Sequence, residues 1–409
     1  MRVCHSATRP MRPVTVAGRG RWPSDRPRSQ ARPGIPEQVR LALASLAALS
    51  LAVVPLAAVP VAAAPAAGAT TAAGERYVAL GDSYAAGLGI GALDTSAGAE
   101  ACGRSAQDYP HQLAAALDLQ LTDVTCSGAV TSDLAGSQDA GRTAVPPQFD
   151  ALTADTRLVT LTIGGNDLGF SAIAGYCASL SGPNGPVRGG DGQAADCEAH
   201  YVSGGDDTLA DDLRDTVGPD LTAALATIRD RAPDAAVVLV DYPALVPDAA
   251  NTPSAGCWAS PLQRSDALPF TDTDLPYLQQ TQARLDQLLA DTATAAGARV
   301  GVATTYTASL AHTACSSSPW VNGVRLQGLS VASSSLHPNL TGATAMAQAA
   351  VPVARTLLAG GTVDPPADVA DAAAGPGIPG WVWAAVAVGV LLVALVAVGA
   401  FRVARRRRG

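Results

Sequence analysis

The sequence predicts an α/β domain in which a parallel sheet is covered by helices on both faces. Short apolar runs of strand length recur between residues 75 and 360, longer helical patterns alternate with them, and the segments richest in chemistry fall directly after the runs. In chain order, Tyr77–Leu80 is the first apolar run and reads as a buried strand. Asp108–Leu117 has helical patterning. Leu119–Val124 and Leu158–Ile163 are the next two strands. Asp211–Ala232 is a helix, Ala236–Val240 (Ala-Val-Val-Leu-Val) a fully apolar strand, Asp274–Ala296 a long helix, Arg299–Val302 a fifth strand and Asn339–Leu358 the last helix. In such a sheet functional groups belong at the carboxyl ends of the strands. Residues 168–210, rich in Gly and Ser, read as a loop, either beside the site or as an inert surface insertion.

The chain has 409 residues, and both ends differ in composition from this body. Residues 1–40 carry nine Arg and two acids, 401–409 carry five Arg and no acid, and the stretch between has a net charge near −20. A body this acidic repels nucleic acid and anionic membrane surfaces, so nucleic-acid binding is not expected. Residues 1–74 read as a leader. Its apolar region, 41–61, follows the Arg-rich segment and runs into small residues, the order of a secretory signal. An uncleaved signal anchor is the alternative. After the 75–360 domain, residues 361–380 form a Pro/Gly/Ala-rich linker. Residues 381–401 are 21 positions without a charge, long enough for a transmembrane helix across a core of about 30 Å. Trp381 and Trp383 stand at one interface and Arg402 and Arg405–Arg408 at the other, so the 402–409 tail is expected inside and the domain outside.

Cys4 lies in the leader. The other six cysteines are Cys102, Cys126, Cys177, Cys197, Cys257 and Cys315. They lack the paired C-x-x-C spacing of a zinc site, and an even set in an exported domain suggests three disulfides. Fifteen pairings are possible in principle. Pairing of nearest neighbours joins Cys102 to Cys126, Cys177 to Cys197 and Cys257 to Cys315.

Four segments carry the chemistry. Gly81-Asp82-Ser83 turns out of the first strand and exposes a nucleophilic hydroxyl. Gly128 follows Cys126-Ser127 after the second strand and lets the backbone approach a reacting oxygen. Asn166, in Gly164-Gly165-Asn166-Asp167, supplies a side-chain amide after the third. His337 is the candidate base: Pro338 restricts it to an extended conformation and is suited to begin the next helix. His111, His200 and His312 lack such a setting, with His200 and His312 as weak reserves. Asp167 is expected to brace its loop. Alone, each motif is explained as readily by an ordinary turn. Together they supply a nucleophile, a base and oxyanion donors. The chain has no G-x-S-x-G elbow.

These four blocks resemble those of the SGNH (GDSL) hydrolase family, and the Ser-Leu-His-Pro-Asn run with the six cysteines is similar to its secreted actinobacterial lipases and esterases. The resemblance covers roughly 75–360. It implies a flavodoxin-like α/β/α sandwich with a five-stranded parallel sheet in the order 2-1-3-4-5. It implies Ser83 as nucleophile, His337 as base, and the Ser83 N–H, Gly128 N–H and Asn166 side chain as oxyanion hole. No cofactor or metal is implied. In one respect the chain departs from the family: the Asp common three residues before the histidine is replaced by Ser334. A neutral hydroxyl does not hold an imidazolium as a carboxylate does. The expectation is therefore a Ser–His dyad whose imidazole is oriented by the main-chain carbonyl of Ser334 or a near neighbour. The chain is expected to be monomeric and to act on acyl esters as a lipase or carboxylesterase. The alternatives are an O-acetyl esterase for envelope polysaccharide, an acyltransferase and a non-enzymatic surface protein.

Overall fold

The computed structural model describes residues 74–364, apart from 142, 181–196 and 329. The expected signal segment, the transmembrane span 381–401 and the 402–409 tail lie outside the described residues, as does nearly all of the 361–380 linker. Among the described residues, no helix is long and apolar enough to cross a membrane.

Five parallel strands form the central sheet: β1 (Arg76–Gly81), β2 (Gln120–Asp123), β3 (Thr156–Thr162), β4 (Ala236–Val240) and β5 (Val300–Ala303). Their spatial order is β2-β1-β3-β4-β5. In our numbering this is the expected 2-1-3-4-5, with boundaries within two residues of the apolar runs. The interior strands β3 and β4 are buried nearly throughout because both of their faces are covered, and β4 is wholly apolar.

The main helices are α1 (Ser83–Ala86), α2 (Tyr109–Leu117), α3 (Phe170–Cys177), α4 (Gly218–Arg231), α5 (Leu275–Ala296) and α6 (Leu340–Leu358). Helices α2 and α6 pack on each other over one face of the sheet, and α4 and α5 pack on each other over the opposite face. The helix expected over 211–232 begins earlier, at Thr208, and widens into a π turn at Leu213–Val217 before α4. Pro219 follows directly and has no N–H to continue the ordinary ladder, and Gly218 donates instead to Leu213 five residues back.

The 168–210 segment is not simply a loop, since α3 and a short helix at Cys197–Tyr201 lie within it. Disulfides join Cys102 to Cys126, Cys177 to Cys197, and Cys257 to Cys315. The first ties the loop before α2 to the turn after β2, and the Ser127 N–H also donates to the Cys102 carbonyl there.

The Cys102–Cys126 bond closes a loop with a sequence separation of 24. Chain entropy assigns such a loop about 3 kcal/mol. The double variant Cys102→Ser/Cys126→Ser is expected to lower Tm by about 6–10 °C in calorimetry, and an unchanged Tm would refute this role.

Candidate active site

Ser83 is the first residue of α1, directly beyond β1. Gly81 makes the turn possible. Its φ is +139°, and a Cβ there would lie 2.4 Å from the Thr162 carbonyl oxygen of β3. Gln148 clamps the same residue from both sides: the Gly81 N–H donates to its Oε1 at 2.7 Å and its Nε2 donates to the Gly81 carbonyl at 3.0 Å. Asp82 caps α1 by accepting from the Tyr84 N–H at 2.9 Å. Ser83 thus sits on a turn held by two neighbouring segments.

His337 Nε2 lies 2.7 Å from Ser83 Oγ, and its Nδ1 lies 2.8 Å from the Ser335 carbonyl oxygen. With Nδ1 carrying the proton, Nε2 presents its lone pair to the serine. The acceptor differs from the expected Ser334. Ser334 to His337 form a turn with Leu336 in the left-handed region at φ +60°. This turn curls the Ser335 carbonyl back to the imidazole. The Ser334 carbonyl instead closes the turn on the His337 N–H and accepts from Asn322 Nδ2 at 3.2 Å. Two more bonds complete the loop: Tyr84 Oη donates to the Leu336 carbonyl at 2.6 Å, and the Asn322 N–H donates to the His337 carbonyl at 2.9 Å. Among the described residues, no carboxylate accepts a hydrogen bond from His337. Burial pushes its pKa below the ordinary 6.5, opposed by the bond to Ser335.

Gly128 has φ +80°, the conformation that glycine tolerates. Gln138 Nε2 donates to the Ser127 carbonyl at 2.9 Å. Because a trans peptide points its C=O and N–H in opposite directions, this bond also aims the Gly128 N–H. Asn166 Nδ2 donates to the Ala129 carbonyl at 3.0 Å, which leaves its second amide hydrogen. Among the described residues, neither the Ser83 nor the Gly128 N–H meets a protein acceptor. Asp167 braces, as expected: it accepts from the Thr131 N–H at 2.9 Å and from Thr131 Oγ1 at 2.5 Å, tying the third block to the turn after the second. Ser83 and Asn166 both line an apolar pocket of about 80 Å3, partly open to solvent, whose walls include Leu168, Phe170, Ile173, Leu245, Phe270 and Leu285.

The sequence matches the GDSL-like lipase/acylhydrolase family over residues 79–345. The chain belongs to this family. It is 36% identical over 278 residues to lipase 2 of Streptomyces coelicolor, covering 66% of this chain and 83% of that one. It is 36% identical over 258 residues to an esterase of Streptomyces scabiei, covering 58% and 72% respectively. The crystal structure of phospholipase A1 from Streptomyces albidoflavus superposes with a TM-score of 0.51 at 26% identity, covering 69% of this chain and 98% of that chain. The protein is thus a carboxylic ester hydrolase of the SGNH/GDSL class, with the α/β fold of that class.

In this GDSL hydrolase the two reserve histidines lie elsewhere. His200 stacks on Tyr176 at 3.6 Å between ring centres, and His312 stacks on Trp320 at 4.5 Å. Several supporting residues escaped sequence reading: Tyr84, Gln138, Gln148, Tyr242, Asn322 and Ser335. The contacts of Tyr84, Gln148 and Tyr242 span long stretches of chain, whereas Ser335 reaches the imidazole only two residues away and, like Tyr84, stands within a motif segment. The Tyr242 hydroxyl joins two blocks. It donates to Asp82 Oδ2 at 2.6 Å and accepts from the Gly165 N–H at 3.1 Å, one residue before Asn166. Burial raises Asp82 to about 7 and holds Tyr242 well above its ordinary value.

Tyr242→Phe removes a partner from a buried carboxyl and a buried N–H at once. It is expected to cost about 1–3 kcal/mol of stability and to reduce kcat about tenfold with KM nearly unchanged, because the Asn166 loop loosens. Steady-state ester kinetics beside calorimetry check this, and a wild-type kcat would refute it.

Asp82 and Asp241 are both raised to about 7 by burial, and Asp286 is raised by burial and by Asp241 beside it. A raised carboxyl keeps its proton in the fold after the unfolded chain has lost it. That stability is fully present below the ordinary 3.8 and is lost as pH climbs through about 7. His337 acts oppositely, losing stability as pH falls below 6.5, but the raised carboxyls, Asp108 and Asp123 among them, outnumber it. Tm is therefore expected to be higher at pH 5 than at pH 8. Calorimetry across that range tests it, and a Tm rising toward pH 8 would contradict it.

Proposed function

We propose that the chain hydrolyses acyl esters through a Ser83–His337 dyad and a covalent acyl-enzyme. The observation that carries this reading is the 2.7 Å contact between His337 Nε2 and Ser83 Oγ, at a pocket walled by apolar side chains. His337 takes the Ser83 proton as Ser83 Oγ bonds to the ester carbonyl carbon. The oxyanion that forms is held by the Ser83 N–H, the Gly128 N–H and Asn166 Nδ2. His337 then delivers its proton to the departing alcohol. Water attacks the acyl-enzyme by the same route and returns the serine. The Ser335 carbonyl replaces the third member of a triad. It keeps the proton on Nδ1, but as a neutral group it stabilises the imidazolium less than a carboxylate does.

The apolar pocket favours lipid-like acyl groups over acetyl. The likeness to the phospholipase A1 of Streptomyces albidoflavus supports this choice. The O-acetyl esterase and acyltransferase readings share the same serine and the same base. The uncharged 381–401 stretch, between its Trp pair and the Arg cluster, supports a single membrane span holding the domain outside the cell, after export on the 41–61 signal.

Hydrolysis of p-nitrophenyl esters from acetyl to palmitoyl tests the reading. Ser83→Ala is expected to lose at least about 10⁴-fold in kcat, and Asn166→Ala about 10²–10³-fold. Asp133→Asn should stay within a few-fold of wild type, since Asp133 only accepts from the Val130 N–H. Essential behaviour of Asp133 would overturn the dyad. Activity confined to acetyl would transfer the assignment to the deacetylase. The acid limb of kcat/KM is expected below pH 6.5, because the base acts as neutral imidazole and burial lowers its pKa.

A further inference from the structure

Away from the serine, the start of α2 and the end of β2 bring together an unusual set of side chains. Asp108 is fully buried as the N-cap of α2, and its Oδ1 accepts from the His111 N–H and lies 2.8 Å from His111 Nδ1. Its Oδ2 is buried with no partner among the described residues. Asp123 is also buried. Its Oδ1 accepts from the Thr125 N–H and Oγ1, while its Oδ2 has no partner and lies 3.9 Å from His111 Nδ1. On the far side of the ring, Asp94 Oδ1 lies 4.0 Å from His111 Nε2. The positive group facing the cluster is Arg104, which donates to the Asp123 and Ala97 carbonyls. Three carboxyls therefore face one guanidinium and one imidazole, and two buried carboxyl oxygens are orphaned.

We propose that Asp108, His111 and Asp123 form a structural binding site for a divalent first-row metal ion of the zinc class. One ligand atom from each of the three lies within 4.8 Å of the others. With metal–ligand bonds of about 2.0–2.2 Å, a modest closure brings them into a single shell. The donor set, one imidazole and two carboxylates, suits zinc, cobalt or manganese better than calcium or magnesium. Asp94 stands where metal-bound histidines keep an outer carboxylate on the second ring nitrogen. The absence of paired cysteines excludes only a thiolate site. A bound ion would satisfy both orphaned oxygens and pin three segments together: α2, β2 and the end of α1, since a Cβ on Gly87 would lie 2.7 Å from Asp108 Cβ. The competing state is a proton shared between the two carboxyls.

The test is metal content and thermal unfolding of the purified full chain, stripped with chelator and titrated with ZnCl2, with CaCl2 and MgCl2 as comparators. One zinc per chain is expected, with Tm raised by about 5 °C at a hundredfold excess over Kd. The shift should vanish in Asp123→Asn and in His111→Gln and persist in His337→Gln. His111 is partly exposed, so His111→Gln carries the test if Asp123→Asn does not fold. No retained zinc, no shift, or an equal shift in His111→Gln would overturn the proposal and leave the shared proton. The readout is independent of ester hydrolysis, so its failure is distinct from failure of the dyad.

Discussion

Four consecutive carbonyls, from Ser334 to His337, each accept at least one hydrogen bond. Asn322 and the His337 N–H take the first, the His337 imidazole the second, the Tyr84 hydroxyl the third and the Asn322 N–H the fourth. A buried main-chain carbonyl left without a partner is costly, so this loop has few alternatives once its neighbours are in place. Its cost is a leucine in the left-handed region, a conformation usually left to glycine. The return is an imidazole whose tautomer and direction are set without a carboxylate. Tyr84 makes the arrangement reciprocal: it is the residue after Ser83, so the helix that presents the serine also holds the histidine's loop.

The other blocks are held by the same logic. Tyr242 bridges Asp82 and Gly165, Asp167 holds Thr131, and Gln138 aims the peptide before Gly128. The Tyr242 and Asp167 bridges join the ends of different strands, so relative positions at the top of the sheet are set by polar contacts rather than by packing alone. Among these groups Asp82 is fully buried, and burial pushes its carboxyl toward neutrality. The site is therefore built from groups whose protonation is coupled to folding.

Much of this was legible in the residues. Ala236–Val240 reads as a strand because five apolar residues in a row have no amphipathic alternative of that length, and the other runs are found within two residues. The Gly81-Asp82-Ser83 and Gly164-Gly165-Asn166-Asp167 turns are legible because glycine is required where backbones meet, as at Gly81 against Thr162. The orienting carbonyl was misplaced by one residue. Ser334 and Ser335 are chemically identical in sequence, and only the positive φ of Leu336 distinguishes which one faces the ring. The helix α3, in the segment read as a loop, was hidden by the glycines and serines around it, yet it supplies Phe170 and Ile173 to the pocket.

By itself the sequence determined the order of strands and helices, the serine and histidine, and the family, because these depend on local periodicity and on residue types at turns. Only the tertiary structure decided which carbonyl orients the histidine, that Tyr84, Tyr242 and the glutamines support the site, and that Asp108, His111 and Asp123 meet. Those facts depend on hydrogen bonds between residues up to 252 positions apart. Such bonds leave no periodic trace in the chain, since their geometry exists only once the sheet has brought the segments together.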